Sequence, residues 1–200
     1  LLGDDGLPKG LDGAENFTAA LTALKAGGAE HGVSIHSAAG DSMWRIFSSL
    51  LGQQDGEFLN AEGFLQGDNL DKAVKATEVI QNWVKDGLAP ASTEYPASIA
   101  LFTGGKAAMH INGVWEVPTM TDLHAKGELF EWGAIELPVF FDHPATWADS
   151  HAFAIPNNVG KEMTAEKRKA VMETIAWMNK HSTFWATAGH LPAYNAAREN

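Results

Sequence analysis

Apolar residues recur along this chain at two spacings, and the alternation between those spacings already sketches its elements. Phe17, Leu21 and Leu24 stand at helical intervals behind Asp12 and Glu15 in capping-box order, which predicts an amphipathic helix over residues 12–27 stopped by Gly27-Gly28. Val33 to Ser37 alternates as a strand. Trp44, Phe47 and Leu51 fall on one face of a predicted helix that Asp41 or Ser42 can cap and residues 53–56 leave. Ala73, Thr77, Ile80 and Val84 mark a third helix over 70–86, capped by Asp68 or Asn69 and ended by Gly87.

Further on, residues 98–103 read as a short helix closed by Gly104-Gly105, and 107–111 as a short strand running straight into Asn112-Gly113-Val114-Trp115. Residues 114–126 are predicted helical with Pro118 in the first turn, 132–137 and 151–155 as strands, and 164–180 as a helix with Val171, Ile175 and Met178 on one face. Helices alternating with short apolar strands define an α/β chain, whose ligand chemistry belongs at strand ends and loops.

Composition narrows the function. The 200 residues carry a formal net charge of −11 with basic residues scattered singly, which argues against a nucleic-acid partner. No apolar run reaches the length of a membrane span. Zero cysteines removes disulfides, thiol nucleophiles and Cys-ligated zinc, without fixing the compartment. Nucleotide-binding and hydrolase motifs such as GxGxxG, GxSxG and HExxH are missing, and the carboxylates Asp41, Glu57, Glu116 and Asp149 show no spacing that singles out a glycosidase pair. Asp142, His143, Asp149 and His151 lie close in sequence but match no compact zinc pattern, so no metal and no cofactor are expected. His31, His124 and His181 read as surface residues. Asn16-Phe17-Thr18 fits a glycosylation triplet, yet Phe17 belongs to the apolar helix face.

Seven tryptophans are the unusual count. Trp83, Trp132, Trp177 and Trp185 fall inside predicted elements and are expected in the core. Trp44, Trp115 and Trp147 stand near element ends beside small and polar residues. There an indole can face a cleft and stack on a flat ligand such as a pyranose ring, or equally fill the core.

The run YPASIALFTGGKAAMHINGVWEV, residues 95–117, resembles the family 1 extracellular solute-binding proteins of ABC importers, which are maltose-binding-protein-like. The matching pieces are the helix before the Gly-Lys turn, the small-residue-Met strand and the Asn-Gly-x-Trp ligand motif. The helix and Gly-rich exit at 44–56, Asp86-Gly87-Leu88-Ala89-Pro90, the segment 147–156 and Gly189-His190-Leu191-Pro192-Ala193 extend the likeness over nearly the whole chain.

That resemblance implies an extracytoplasmic, monomeric, non-enzymatic α/β protein of periplasmic-binding type II. Such a protein captures a carbohydrate and hands it to ABC permease subunits. By the same likeness, residues 1–147 form most of the second lobe, 148–155 the crossing strand and 156–200 part of the first lobe, so the chain is expected to be a fragment of a two-lobed protein. Carried over residue by residue, Asn112 and Trp115 match the ligand motif, Trp44 and Asp41 sit where the family presents an aromatic and a polar contact, and Ser150 and His151 occupy the crossing loop. His36, Glu116, Trp147 and His190 complete the expected contacts. Ala148-Asp149-Ser150-His151 stands where many relatives carry paired glycines, which leaves the ligand's identity open. A non-sugar solute such as glycerol 3-phosphate would want a cation at the cleft, for which Arg45 is the candidate. A carbohydrate-active hydrolase or an adhesion module would share the tryptophans.

Overall fold

A computed structural model of the protein describes residues 2–4, 6–38, 40–157 and 162–199, with the backbone alone at Asp41. The chain divides into two compact units, residues 1–112 with 124–148, and residues 113–123 with 149–200.

The first unit is an α/β layer. Helix α1 (Ala14–Ala26) leads into strand β1 (His31–Ser34), which pairs in parallel with the strand Ala107–His110, β4 below. Between the two strands lie α2 (Asp41–Gly52), a small antiparallel hairpin of β2 (Leu59–Asn60) and β3 (Gly63–Phe64), α3 (Asp68–Lys85) and α4 (Tyr95–Thr103). Register pairs His31 with Ala107, Val33 with Met109 and Ser34 with His110. The core gathers Leu21, Val33, Ile35, Leu50, Ile80 and an aromatic nest. In that nest Phe17, Trp83 and Phe140 hold one another at centroid distances of 5.0–5.6 Å, and the Trp83 indole N–H donates to Thr18 Oγ1 at 3.2 Å. Trp83 is fully buried, as expected. In the Asn16-Phe17-Thr18 triplet, Phe17 belongs to this packing and is only 2% exposed, while Asn16 is exposed and donates to the Asp12 carbonyl at 2.8 Å.

Helix positions follow the sequence periodicity, but the buried stripes are rotated. On α3 the buried apolar positions are Ala73, Ala76, Ile80 and Trp83 rather than Thr77 and Val84. Trp83 carries the largest apolar area and sets the face, while the Thr77 hydroxyl turns back onto the Ala73 carbonyl. On α2, Ile46 and Leu50 join Leu51 in the interior, whereas Trp44 and Phe47 pack on each other at 5.7 Å nearer the surface.

Caps also differ from expectation. Gly13, Gly40 and Gly67 occupy the N-caps of α1, α2 and α3 without a side-chain bond. Asp12 instead accepts the Val139 N–H at 2.9 Å, and Asn69 accepts the Glu57 N–H at 2.7 Å.

Residues 132–137, expected as a strand, carry no strand pairing. Gln53, wholly buried, supplies a substitute for the missing ladder just beyond them. Its side-chain amide donates to the Pro138 and Ala145 carbonyls at 3.0 and 3.3 Å, its Oε1 accepts from Phe140 N at 2.7 Å, and its carbonyl accepts from Asp142 and His143. A side chain does here what a neighbouring strand does elsewhere.

The second unit holds a 3-10 turn (Val114–Glu116), α5 (Val117–Ala125) except for its last turn, α6 (Ala165–Lys180) and a 3-10 run (Ser182–Ala188). Thr164 caps α6 by accepting from Lys167 N. Residues 151–155, expected as a strand, carry none, and most of them are exposed. Trp177 and Trp185, expected in the core, are 62% and 44% exposed. Trp177 stacks on His181 at 4.2 Å and Trp185 on Phe184 at 5.1 Å, so each ring satisfies itself locally. Among the described residues no helix is long and apolar enough to cross a membrane.

Candidate functional site

Extending the β1–β4 register by two residues sets His36 opposite Asn112, both just past the carboxyl ends of parallel strands, where open α/β sheets bind ligands. The Ile111 N–H donates to the Ser34 carbonyl at 3.1 Å, so the pairing persists to that point. Tyr95, the first residue of α4, bridges the two. Its hydroxyl donates to Asn112 Oδ1 at 3.3 Å, and its ring centroid lies 6.0 Å from that of His36.

The bridge rests on rigid parts. The Ser98 hydroxyl donates to the Tyr95 carbonyl at 2.8 Å, and the Ser34 hydroxyl of β1 donates to the Ser98 carbonyl at 2.6 Å. Ser37 accepts from Thr93 N at 3.0 Å and donates to the Pro90 carbonyl, stitching the loop before α4 to the end of β1.

His36 is the most telling member. Only 8% of it is exposed, and among the described residues neither ring nitrogen has a hydrogen-bond partner. Glu94 Oε2 stands 3.7 Å from Nε2, beyond a hydrogen bond. A Cβ on Gly40 would come within 3.0 Å of the ring, so the glycine ahead of α2 is what lets the imidazole lie there. An unsatisfied buried polar group costs about 1–3 kcal/mol, which a ligand's hydroxyl or carbonyl would relieve. Two residues before Asn112, His110 is pushed down to about 4 by burial and stays neutral at physiological pH.

Aromatic side chains of the first unit form a separate group. Trp44, 38% exposed, meets Phe58 edge-on at 4.2 Å, and Phe58 meets Phe64 at 4.1 Å. Trp147 is anchored by its backbone N–H to Ser49 Oγ at 2.8 Å and carries the Arg45 guanidinium 4.8 Å over its ring. One face of Trp147 is thereby taken, and Arg45 is drawn toward an aromatic partner. Asp41 opens α2, but its side chain lies outside the described residues.

The remaining expected contacts belong to the second unit. The Trp115 ring lies over Gly113 so closely that a Cβ there would stand 2.1 Å from it, which explains the glycine of Asn-Gly-x-Trp. Gly189, at φ 76°, backs onto the same turn, where a Cβ would meet the Val114 carbonyl oxygen at 2.5 Å. Trp115 and Glu116 are half-buried, and Ser150 and His151 are exposed. His151 meets His190 edge-on at 5.6 Å.

Of the ten expected residues, His36 and Asn112 are brought together in the first unit, by a tyrosine that periodicity did not single out. Tyr95 and Glu94 are visible only once the strand register is known. His31, expected at the surface, is half-buried in β1, and its Nδ1 is enclosed. His143 spends its Nε2 on Asp55 at 3.0 Å. Among the described residues no three His, Asp or Glu side chains gather as a metal cluster.

Polar side chains gathered past the ends of parallel strands, with a buried imidazole that has no hydrogen-bond partner among the described residues, suit a protein that holds a small solute. The sequence model of the bacterial extracellular solute-binding protein family matches residues 4–193, and the chain belongs to that family. It is thus an extracytoplasmic solute-binding protein of the kind that serves ABC importers. No curated protein matches the chain.

Proposed function

We propose that the captured solute is a neutral carbohydrate, bound without chemical change by a monomeric chain and passed to the permease subunits of its importer. The observation that carries this reading is the His36–Tyr95–Asn112 constellation. An imidazole offers one donor and one acceptor, a carboxamide offers both, and a sugar hydroxyl also both donates and accepts. Trp44 adds an exposed indole face of the kind that packs on the C–H face of a pyranose.

Charge favours a neutral solute over glycerol 3-phosphate or another anion. Glu94 stands beside His36, and Arg45 lies over Trp147. The assignment of residues 1–147 to one lobe, 148–155 to the crossing segment and 156–200 to the other is part of the same proposal, as are contacts from Asp41, Trp115, Glu116, Trp147, Ser150 and His151.

Calorimetric titration with a panel of mono- and oligosaccharides plus glycerol 3-phosphate tests the reading. The expected result is saturable binding of a sugar without product, weakened about tenfold or more in Asn112→Ala and in His36→Ala. Binding of glycerol 3-phosphate alone, or of nothing in the panel, overturns the carbohydrate assignment.

A further inference from the structure

We propose that His151 and His190 form a chelating pair for a borderline divalent transition-metal ion, of the class of Zn²⁺, Ni²⁺ or Cu²⁺, a role beyond the solute contact proposed for His151. The two residues are far apart in sequence, yet their ring centroids are 5.6 Å apart with planes at 89°. An ion held by two imidazole nitrogens at about 2.0–2.1 Å and near-tetrahedral angle places the two ring centroids roughly 5–5.5 Å apart. The pair therefore stands close to chelating separation.

Access and support are both present. His151 is exposed and His190 half-buried, so an ion reaches the pair from solvent. The backbone N–H of His190 donates to the Trp185 carbonyl at 3.1 Å, and the Trp185 ring stands edge-on to the His190 ring at 6.1 Å. Gly189, seated on the Val114 carbonyl, fixes the start of the segment that carries His190. No third His, Asp or Glu completes a cluster among the described residues, so the other coordination positions fall to water and the site is an open one. Imidazole nitrogens suit zinc, nickel and copper and not magnesium or calcium, which sets the class of ion. Bound metal would tie residues 149–157, which have no regular structure of their own, to the segment 189–193.

Calorimetric titration of the protein with zinc chloride in chelator-free buffer provides the test. Saturable uptake is expected, weakened about tenfold or more in His151→Gln and in His190→Gln and unchanged in His181→Gln. His151→Cys, which restores a zinc ligand, should retain uptake, separating loss of a ligand from loss of fold. Copper should quench part of the tryptophan emission, and that part should disappear in Trp185→Phe. No zinc uptake, or uptake unchanged in either His151→Gln or His190→Gln, overturns the proposal.

Discussion

The two units spend their aromatic residues in opposite ways. In the first, Phe17, Trp83 and Phe140 are driven together in the interior and orient α1, α3 and the irregular segment around them. In the second, Trp177, Phe184 and Trp185 lie exposed, each stacked on a neighbour close in sequence. Large apolar side chains organise a unit only when they meet across elements. A ring stacked on a residue one to four positions away adds little long-range order.

That contrast makes a first, large prediction. Trp83→Ala should lower stability in urea by about 3–5 kcal/mol, through lost burial and the cavity left behind. Trp177→Ala should change it by less than about 0.5 kcal/mol. Comparable losses in the two variants would break the comparison.

A second prediction concerns irregular chain within each unit. Residues 138–145 are held through Gln53, whereas 151–155 have no such anchor among the described residues. Gln53→Ala should cost roughly 3 kcal/mol, because it strands two part-buried carbonyls and one buried N–H. It should also speed hydrogen exchange at the Phe140 amide. Exchange at residues 151–155 should be fast in either protein, and slow exchange there would contradict the difference drawn between the segments.

The third and smallest effect is pH dependence. His110 falls from an ordinary 6.5 to about 4 because its half-buried ring resists charge. The unfolded chain therefore binds the proton first. The stabilising effect is fully present above pH 6.5 and is lost as pH falls toward 4. The loss should be roughly 2–3 kcal/mol, read as the difference in urea stability between the protein and His110→Gln over that interval. A difference that does not vary with pH would remove His110 from the acid sensitivity of the first unit.

Much of the helical content was legible because i, i+4 repeats such as Phe17–Leu21 and Val171–Ile175 are local. Which stripe faces inward was less so. A stripe read one residue off, as on α3, still looks amphipathic, and only the bulk of Trp83 packing against Phe17 selects the face. Residues 132–137 have strand-like composition, but the backbone beyond them is satisfied by a glutamine side chain more than eighty positions earlier, and local pattern carries no trace of that. At the candidate site, Asn112 was legible through the Asn-Gly-x-Trp motif after a predicted strand, and His36 through the resemblance to solute-binding proteins. Tyr95 did not, because its link to both depends on a pairing between strands distant in the chain.

The parallel pairing of β1 with β4 also bears on how this protein tolerates changes of length. The opposition of His36 and Asn112 depends on the count of residues along the two strands, and hardly at all on how many residues connect them. Insertions at the tip of the β2–β3 hairpin, between Asn60 and Gly63, should leave the site's geometry intact. A single residue added between Met109 and Asn112 would turn the carboxamide to the other side of the sheet and separate it from Tyr95. Natural variants and engineered loops should therefore accumulate in the hairpin and be absent from the few residues that precede Asn112.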